Sequence, residues 1–196
     1  VAAGQKRLEH LRGDQTCEAP AGCQVDVDGD GNNDTLTLRQ RANILGDIVN
    51  SGPIAVGPPA LNWPSAGTTL FPTAGGSTYA EFKSANINRT PVVYVGANDG
   101  LLHGFQATND ANGGTELLAY APAALASNNA GQGFHHLTRT TYNSPGQHRF
   151  YVDRTPSISD VYIDPTGAGA KSWRTVAVGG LGAGGRGLYA LDITNP

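Results

Sequence analysis

The densest group of chemically capable side chains is the run DVDGDGNND at residues 26–34. Asp26, Asp28, Asp30, Gly31 and Asp34 fall on positions 1, 3, 5, 6 and 9 of an EF-hand-type calcium loop, and Asn32 falls where such a loop offers a main-chain carbonyl. Alternate residues can turn their carboxylates toward one centre, while the glycine lets the backbone bend sharply. Four carboxylates this close repel one another unless a cation sits between them. Position 12, where an EF-hand carries its bidentate Glu, is Thr37. The run is therefore no helix-loop-helix EF-hand, and a ligand must come from elsewhere. The bland alternative is a solvated acidic turn. The expectation is Ca2+, held by Asp26, Asp28, Asp30, Asp34 and the Asn32 carbonyl.

Other motifs are weaker. Arg12-Gly13-Asp14 is an RGD tripeptide that in an exposed loop offers a cation and a carboxylate to an integrin-type receptor; three residues recur by chance very often, and a helix end at Gly13 is the favoured explanation. Cys17 and Cys23, with five residues between them in a polar stretch, form either a small disulfide ring in an exported protein or a free pair in a cytosolic one. The disulfide is expected, and so short a loop should add only about 2 kcal/mol. Gly182-x-Gly184-x-x-Gly187 matches a dinucleotide fingerprint only formally, because GLYALDI after it reads as strand where a helix is required. A phosphate loop fails too: Arg186 replaces the lysine, with no Ser or Thr behind it. His135 and His136 on a strand would face opposite sides and chelate poorly. His103 and His148 read as packing or surface hydrogen-bond residues. Local spacing suggests no catalytic triad or paired-carboxylate site. Asn33-Asp34-Thr35 and Asn88-Arg89-Thr90 are formal glycosylation sequons.

Short strands must position these residues. Residues 2–11 are good helix formers ended by Gly13. Residues 12–35 read as loop, 36–50 as ambiguous, and 51–77 as an irregular Gly/Pro/Ser/Thr excursion that Trp63 and Phe71 could anchor. Residues 79–86 fit one short helix. From Pro91 onward strand-like runs dominate: 92–96, 101–105, 117–121, 149–152, 158–163, 174–178 and 187–193. Asn98-Asp99-Gly100 is a tight-turn signal between the first two. TPVVYVGANDGLLHGFQATN (90–109) and RTVAVGGLGAGGRGLYALDITNP (174–196) repeat one plan about 84 residues apart. That spacing suits two propeller blades, or one blade with an insertion, better than a sandwich.

Composition bounds the function. The 196 residues suffice for one domain with a real core, or two small ones. Charged residues are 15% and the net charge is -3, so no basic surface exists to track nucleic acid. Hydrophobic residues at 39% exclude an intrinsically disordered chain. No apolar run is long enough to span a bilayer as a helix. With 27 Gly and 12 Pro the chain is rich in turns. It contains no Met and starts at Val1, which reads as a piece of something larger.

Taken together, LRGD (11–14), RQRANILGDIVNSGP (39–53), RTPVVYVGANDGLLHGFQA (89–107), FYVDRTPSISDVY (150–162) and WRTVAVGGLGAGGRGLYALDITNP (173–196) resemble the C-terminal β-propeller domain of the PilC/PilY proteins. The resemblance implies a mainly β fold: a partial, quinoprotein-like modified β-propeller with an N-terminal helix and a calcium-loop extension. Residues 1–35 would be the linker helix, Cys pair and calcium loop, and 36–196 the first blades. It implies calcium loops of the kind matched by Asp26, Asp28, Asp30 and Asp34. It further implies a non-catalytic, calcium-binding component of a type IV pilus tip adhesin and assembly factor. Such a protein is exported to the cell surface, pilus tip, outer membrane or periplasm, and its partners are pilin or minor pilin subunits and a host-cell or abiotic surface receptor. The family's propeller is much longer than this chain. Two alternatives stay open: a calcium-stabilised module of another exported propeller, and a quinoprotein-type dehydrogenase fragment. Against the latter, Trp63 and Trp173 sit in no repeated blade motif, and no vicinal Cys pair is present.

Overall fold

Helix α1 (Ala2–Leu11) ends where Gly13 takes φ +108°, a conformation that disfavours any Cβ. The amides of Gly13 and Asp14 close back onto the carbonyls of His10 and Glu9. The computed structural model describes residues 2–64, 78–127, 129 and 131–196. After α1 the chain forms a small antiparallel hairpin, β1 (Cys23–Val25) and β2 (Asp34–Leu36), with Cys23 opposite Leu36. Residues 12–35 therefore hold β1 and the start of β2 where a loop was expected. A Cys17–Cys23 disulfide ties the base of the hairpin. Cys17, Val25, Leu36 and Leu38 are buried together and pack against Ala3 of α1.

The first large sheet is a four-stranded antiparallel meander: β3 (Ile54–Val56), β4 (Val92–Gly96), β5 (Leu102–Gln106) and β6 (Glu116–Tyr120). Helix α2 (Tyr79–Ala85) precedes β4 and starts on a capping box, with Thr78 and Glu81 each bonding the other's main chain. β3 corrects the reading of 51–77 as wholly irregular: three residues between Gly52-Pro53 and Gly57-Pro58 form the sheet's first strand. Trp63, in the same stretch, lies 6.2 Å from Trp173 between ring centroids; Phe71 falls outside the described residues. The β4–β5 turn is Asn98-Asp99-Gly100, with Gly100 at φ +94° and Asp99 accepting from the Leu101 amide. The strands alternate only loosely because most of β4 and the start of β5 are buried on both faces.

The second sheet has three strands, β7 (Ser157–Ile163), β8 (Ser172–Gly180) and β9 (Leu188–Asp192), in sequential antiparallel order. Between the sheets lies helix α3 (Gly133–Leu137), which places His135 and His136 on a helix, not on a strand. Residues 149–152 make no ladder; the chain bends at Tyr151 and Val152, both of which enter the core, and the Val152 amide donates to the Ala97 carbonyl. The main core gathers Leu102 of the first sheet, Tyr189 of the second, and Leu137, Tyr151, Val152 and Leu181 between them. A second cluster joins Val92 and Tyr94 to Ala177 and Ile193.

A four-stranded meander is the blade from which propellers are built. The two echoed segments occupy equivalent places, β4–β5 and β8–β9, the second and third strands of each sheet. The fold is mainly β, one complete blade beside a three-stranded one, with no closed barrel among the described residues. Of the ambiguous stretch 36–50, Leu36 closes β2, and from there on residues 44–52 are neither helix nor strand. They form a strap across the ends of both sheets. Gly46 donates to Asp99, the Asp47 carbonyl and carboxylate accept from Asn98, Asn50 donates to Asp153, and Gly52 donates to Thr155.

Candidate metal centre

The loop joining β1 to β2 holds the acidic run. Gly29 and Gly31 adopt φ +86° and +89°, so the chain doubles back twice within six residues. The carboxylate of Asp26 accepts the amides of Gly29 (2.6 Å) and Gly31 (3.1 Å). Asp28 accepts the Asp30 amide at 3.2 Å, and Asp34 accepts the Val27 amide at 3.3 Å. These bonds fold the loop inward. Carboxylate oxygens of Asp26, Asp28 and Asp34 then lie within 4.8 Å of one another. Three formal negative charges at that spacing repel by about 1 kcal/mol per pair even in water. A hard cation with oxygen ligands relieves this, and the donor set fits Ca2+.

The structure brings together three of the four aspartates. Asp30 turns the other way: its carboxylate accepts the Asn32 amide (2.8 Å) and side-chain NH2 (3.1 Å), and the amide bond foremost holds its pKa below the usual range. Asn32 thus engages through donors that face Asp30. Asp28, Asp30 and Asp34 are exposed and Asp26 is half-buried, so water can complete a coordination shell.

Arg12-Gly13-Asp14 sits at the end of α1. Arg12 is exposed; Asp14 is half-buried, and its carboxylate accepts the amide and hydroxyl of Thr16 at 2.8 and 3.0 Å. Arg41, absent from the sequence reading, fixes this turn. Its guanidinium donates to the carbonyls of His10 (2.6 Å) and Asp14 (2.9 Å) and to Glu18 (2.7 Å), while its amide donates to the second Glu18 oxygen. Glu18 follows Cys17 directly, so the disulfide, the RGD turn and the helix end form one polar unit. Arg41 lies 23 residues from Glu18 in the chain, and no local spacing announces the pair.

The remaining motifs resolve structurally. The Gly182–Gly184 segment is a short 3-10 turn between β8 and β9, with no helix to receive a pyrophosphate. His148 faces Asp47 at 3.0 Å on the surface. His103 is buried between Asp99 (3.0 Å) and Glu116 (2.5 Å).

A family model described as the PilY1 beta-propeller domain matches residues 45–196. The chain is 40% identical, over its whole length, to a "Type IV pilus biogenesis factor PilY1 homolog" of Xylella fastidiosa. It is 40% identical over 98% of its length to the "Type IV pilus biogenesis factor PilY1" of Pseudomonas aeruginosa strain PAK. It spans only 13% and 14% of those two proteins. The crystal structure of the Pseudomonas aeruginosa PilY1 C-terminal domain matches 72% of this chain and 22% of its own at 34% identity, with a TM-score of 0.46.

Proposed function

Because the chain belongs to the PilY1 β-propeller family, we propose that it serves as a calcium-binding, non-catalytic part of a type IV pilus biogenesis factor. The observation that carries this reading is the 40% identity sustained along the whole chain to proteins of that name. The hairpin loop supplies the calcium site, with Asp26, Asp28 and Asp34 as the carboxylate ligands. Asp30 and the Asn32 carbonyl join only if Asp30 releases Asn32 when the ion arrives. When bound, the ion neutralises the loop and locks the β1–β2 hairpin. Through Cys17–Cys23 and Glu18–Arg41 that order reaches the end of α1 and the RGD turn.

In this reading the protein acts at the cell surface, in contact with pilin or minor pilin subunits, and takes part in adhesion. Arg12 is available to a receptor as it stands. Asp14 becomes available once it leaves Thr16, so the tripeptide serves as a receptor site only in a rearranged turn. Asp14→Glu, which moves the carboxylate by one methylene, should lower receptor adhesion; unchanged adhesion removes the tripeptide from the account.

The test is genetic. The gene is deleted in its own host and restored with wild type or with the triple variant Asp26→Ala, Asp28→Ala, Asp34→Ala. Surface pili should be lost on deletion and restored by wild type, and the triple variant should fall short at limiting calcium. Unchanged piliation on deletion would overturn the pilus assignment. Full restoration by the triple variant would overturn the calcium part alone.

A further inference from the structure

A cavity of about 670 Å³ opens between α1, the 44–52 strap and strands β5 and β6. That volume is in the range of small-ligand sites. Its walls include the rings of Phe105, Tyr120 and Phe134 and the aliphatic chains of Leu11, Ile44 and Leu45. Its polar lining is Asp99, His103 and Glu116, with Arg12 also contributing. His103 is 4% exposed and Asp99 7%, so both charges sit away from bulk water. Each ring nitrogen of His103 faces a carboxylate oxygen, and only the doubly protonated ring can donate to both. Burial opposes that charged form, but the bonds to Asp99 and Glu116 outweigh it and raise the His103 pKa. Two carboxylates against one imidazolium leave a net negative charge. The second oxygen of Glu116 has no hydrogen-bond partner among the described residues, and its side chain is 45% exposed.

We propose that this cavity binds an organic cation: an ammonium group carried on an apolar body. The ammonium would lie against Glu116, and the aromatic walls would add cation–π attraction. The apolar body would fill the space lined by Leu11, Ile44 and Leu45. Arg12 opposes a cation, but its exposed side chain is screened by water and salt; Glu116 shares part of that screening, and it is the nearby Asp99 and His103 that act in a lower dielectric and hold the Glu116 carboxylate in place at the cavity wall. The same chemistry is offered by a free amine and by a lysine side chain of a protein partner.

The probes are phenethylammonium, phenethyl alcohol as its neutral counterpart, and 3-phenylpropionate as its anionic one. Binding is followed by calorimetry and ligand-observed NMR at pH 7 on the whole chain. The cation should bind about tenfold more tightly than the alcohol, the worth of one charge-assisted hydrogen bond. Glu116→Gln should bring that ratio close to one. Leu45→Trp, which fills the space from a part-exposed position, should abolish binding of both probes while leaving the melting temperature within a few degrees. Displacement of phenethylammonium by N-acetyl-lysine methylamide would identify the ligand as a protein lysine; displacement only by free amines would identify a small molecule. Equal affinity for cation and alcohol, tighter binding of the anion, no saturable binding, or a ratio unaffected by Glu116→Gln would overturn the proposal.

Discussion

His10 is the sharpest place to test the physics of the N-terminal unit. It is 2% exposed, and neither ring nitrogen has a hydrogen-bond partner among the described residues. Burial, followed by the neighbouring Arg41 guanidinium, lowers its pKa from 6.5 to about 4; the Glu18 carboxylate, 3.6 Å away, only partly opposes this. The unfolded chain therefore binds a proton that the folded chain refuses. Stability should be lost as pH falls below about 6.5, and the loss should level off below about 4. Those two values imply a loss of about 2 kcal/mol between pH 7 and pH 4.5. His103 works in the opposite sense: its raised pKa gives stability that is complete below its unfolded value and is lost as pH rises through the folded one. A wild-type pH profile mixes the two, so the difference from His10→Phe is the quantity to measure. Phenylalanine fills the site and leaves no unpartnered nitrogen. At pH 7 it should be neutral or slightly stabilising, and at pH 4.5 it should exceed wild type by about 2 kcal/mol more. Urea unfolding at both pH values supplies the numbers. The same wild-type-to-variant difference at both pH values would refute the buried neutral histidine.

Three further outcomes follow from packing and hydrogen bonding. A Cβ on Gly46 would stand 2.3 Å from the Asp99 amide nitrogen, so Gly46→Ala should destabilise by about 2 kcal/mol or more, while Gly57→Ala, facing open space, should change thermal stability by less than about 0.5 kcal/mol. Asp160 is buried and accepts both the Tyr79 and Thr175 hydroxyls at 2.6 Å; Asp160→Ala removes the acceptor of both O–H donors, whose oxygens keep only the Leu61 amide and the Arg89 guanidinium, and should cost about 2–4 kcal/mol by urea unfolding. Replacing Cys17 and Cys23 by serine should lower stability by about 2 kcal/mol, and the intact mass of the wild-type protein should rise by the mass of two hydrogen atoms on reduction.

Legibility followed the range of the interactions. The Asn98-Asp99-Gly100 hairpin was readable because turn and strands are contiguous, and its echo at β8–β9 marked the second blade. The acidic loop was readable because its carboxylates lie within nine residues. That Asp30 would face Asn32 was not, since the choice between a shared centre and a neighbouring amide is made by backbone bends at Gly29 and Gly31. β3 was hidden because three residues carry no period, and its place depends on pairing Ile54 with Tyr94. The strap escaped notice for the same reason: Asn50 and Gly52 are fixed by Asp153 and Thr155, 103 residues away. The Glu18–Arg41 pair and the Asp99–His103–Glu116 cluster likewise exist only once the chain has folded.

Calcium titration of the chain by calorimetry, with thermal unfolding in parallel, tests the central claim most directly. With three carboxylates and no bidentate Glu, the dissociation constant should lie near the extracellular-module range, on the order of 10⁻⁴–10⁻³ M. At ten times that concentration the bound ion should add about 1.4 kcal/mol to folding stability. Asp26→Ala and Asp28→Ala should each remove most of that gain, while Asp110→Ala, outside the loop, should keep it. A wild-type chain showing neither binding heat nor a rise in melting temperature would contradict the account.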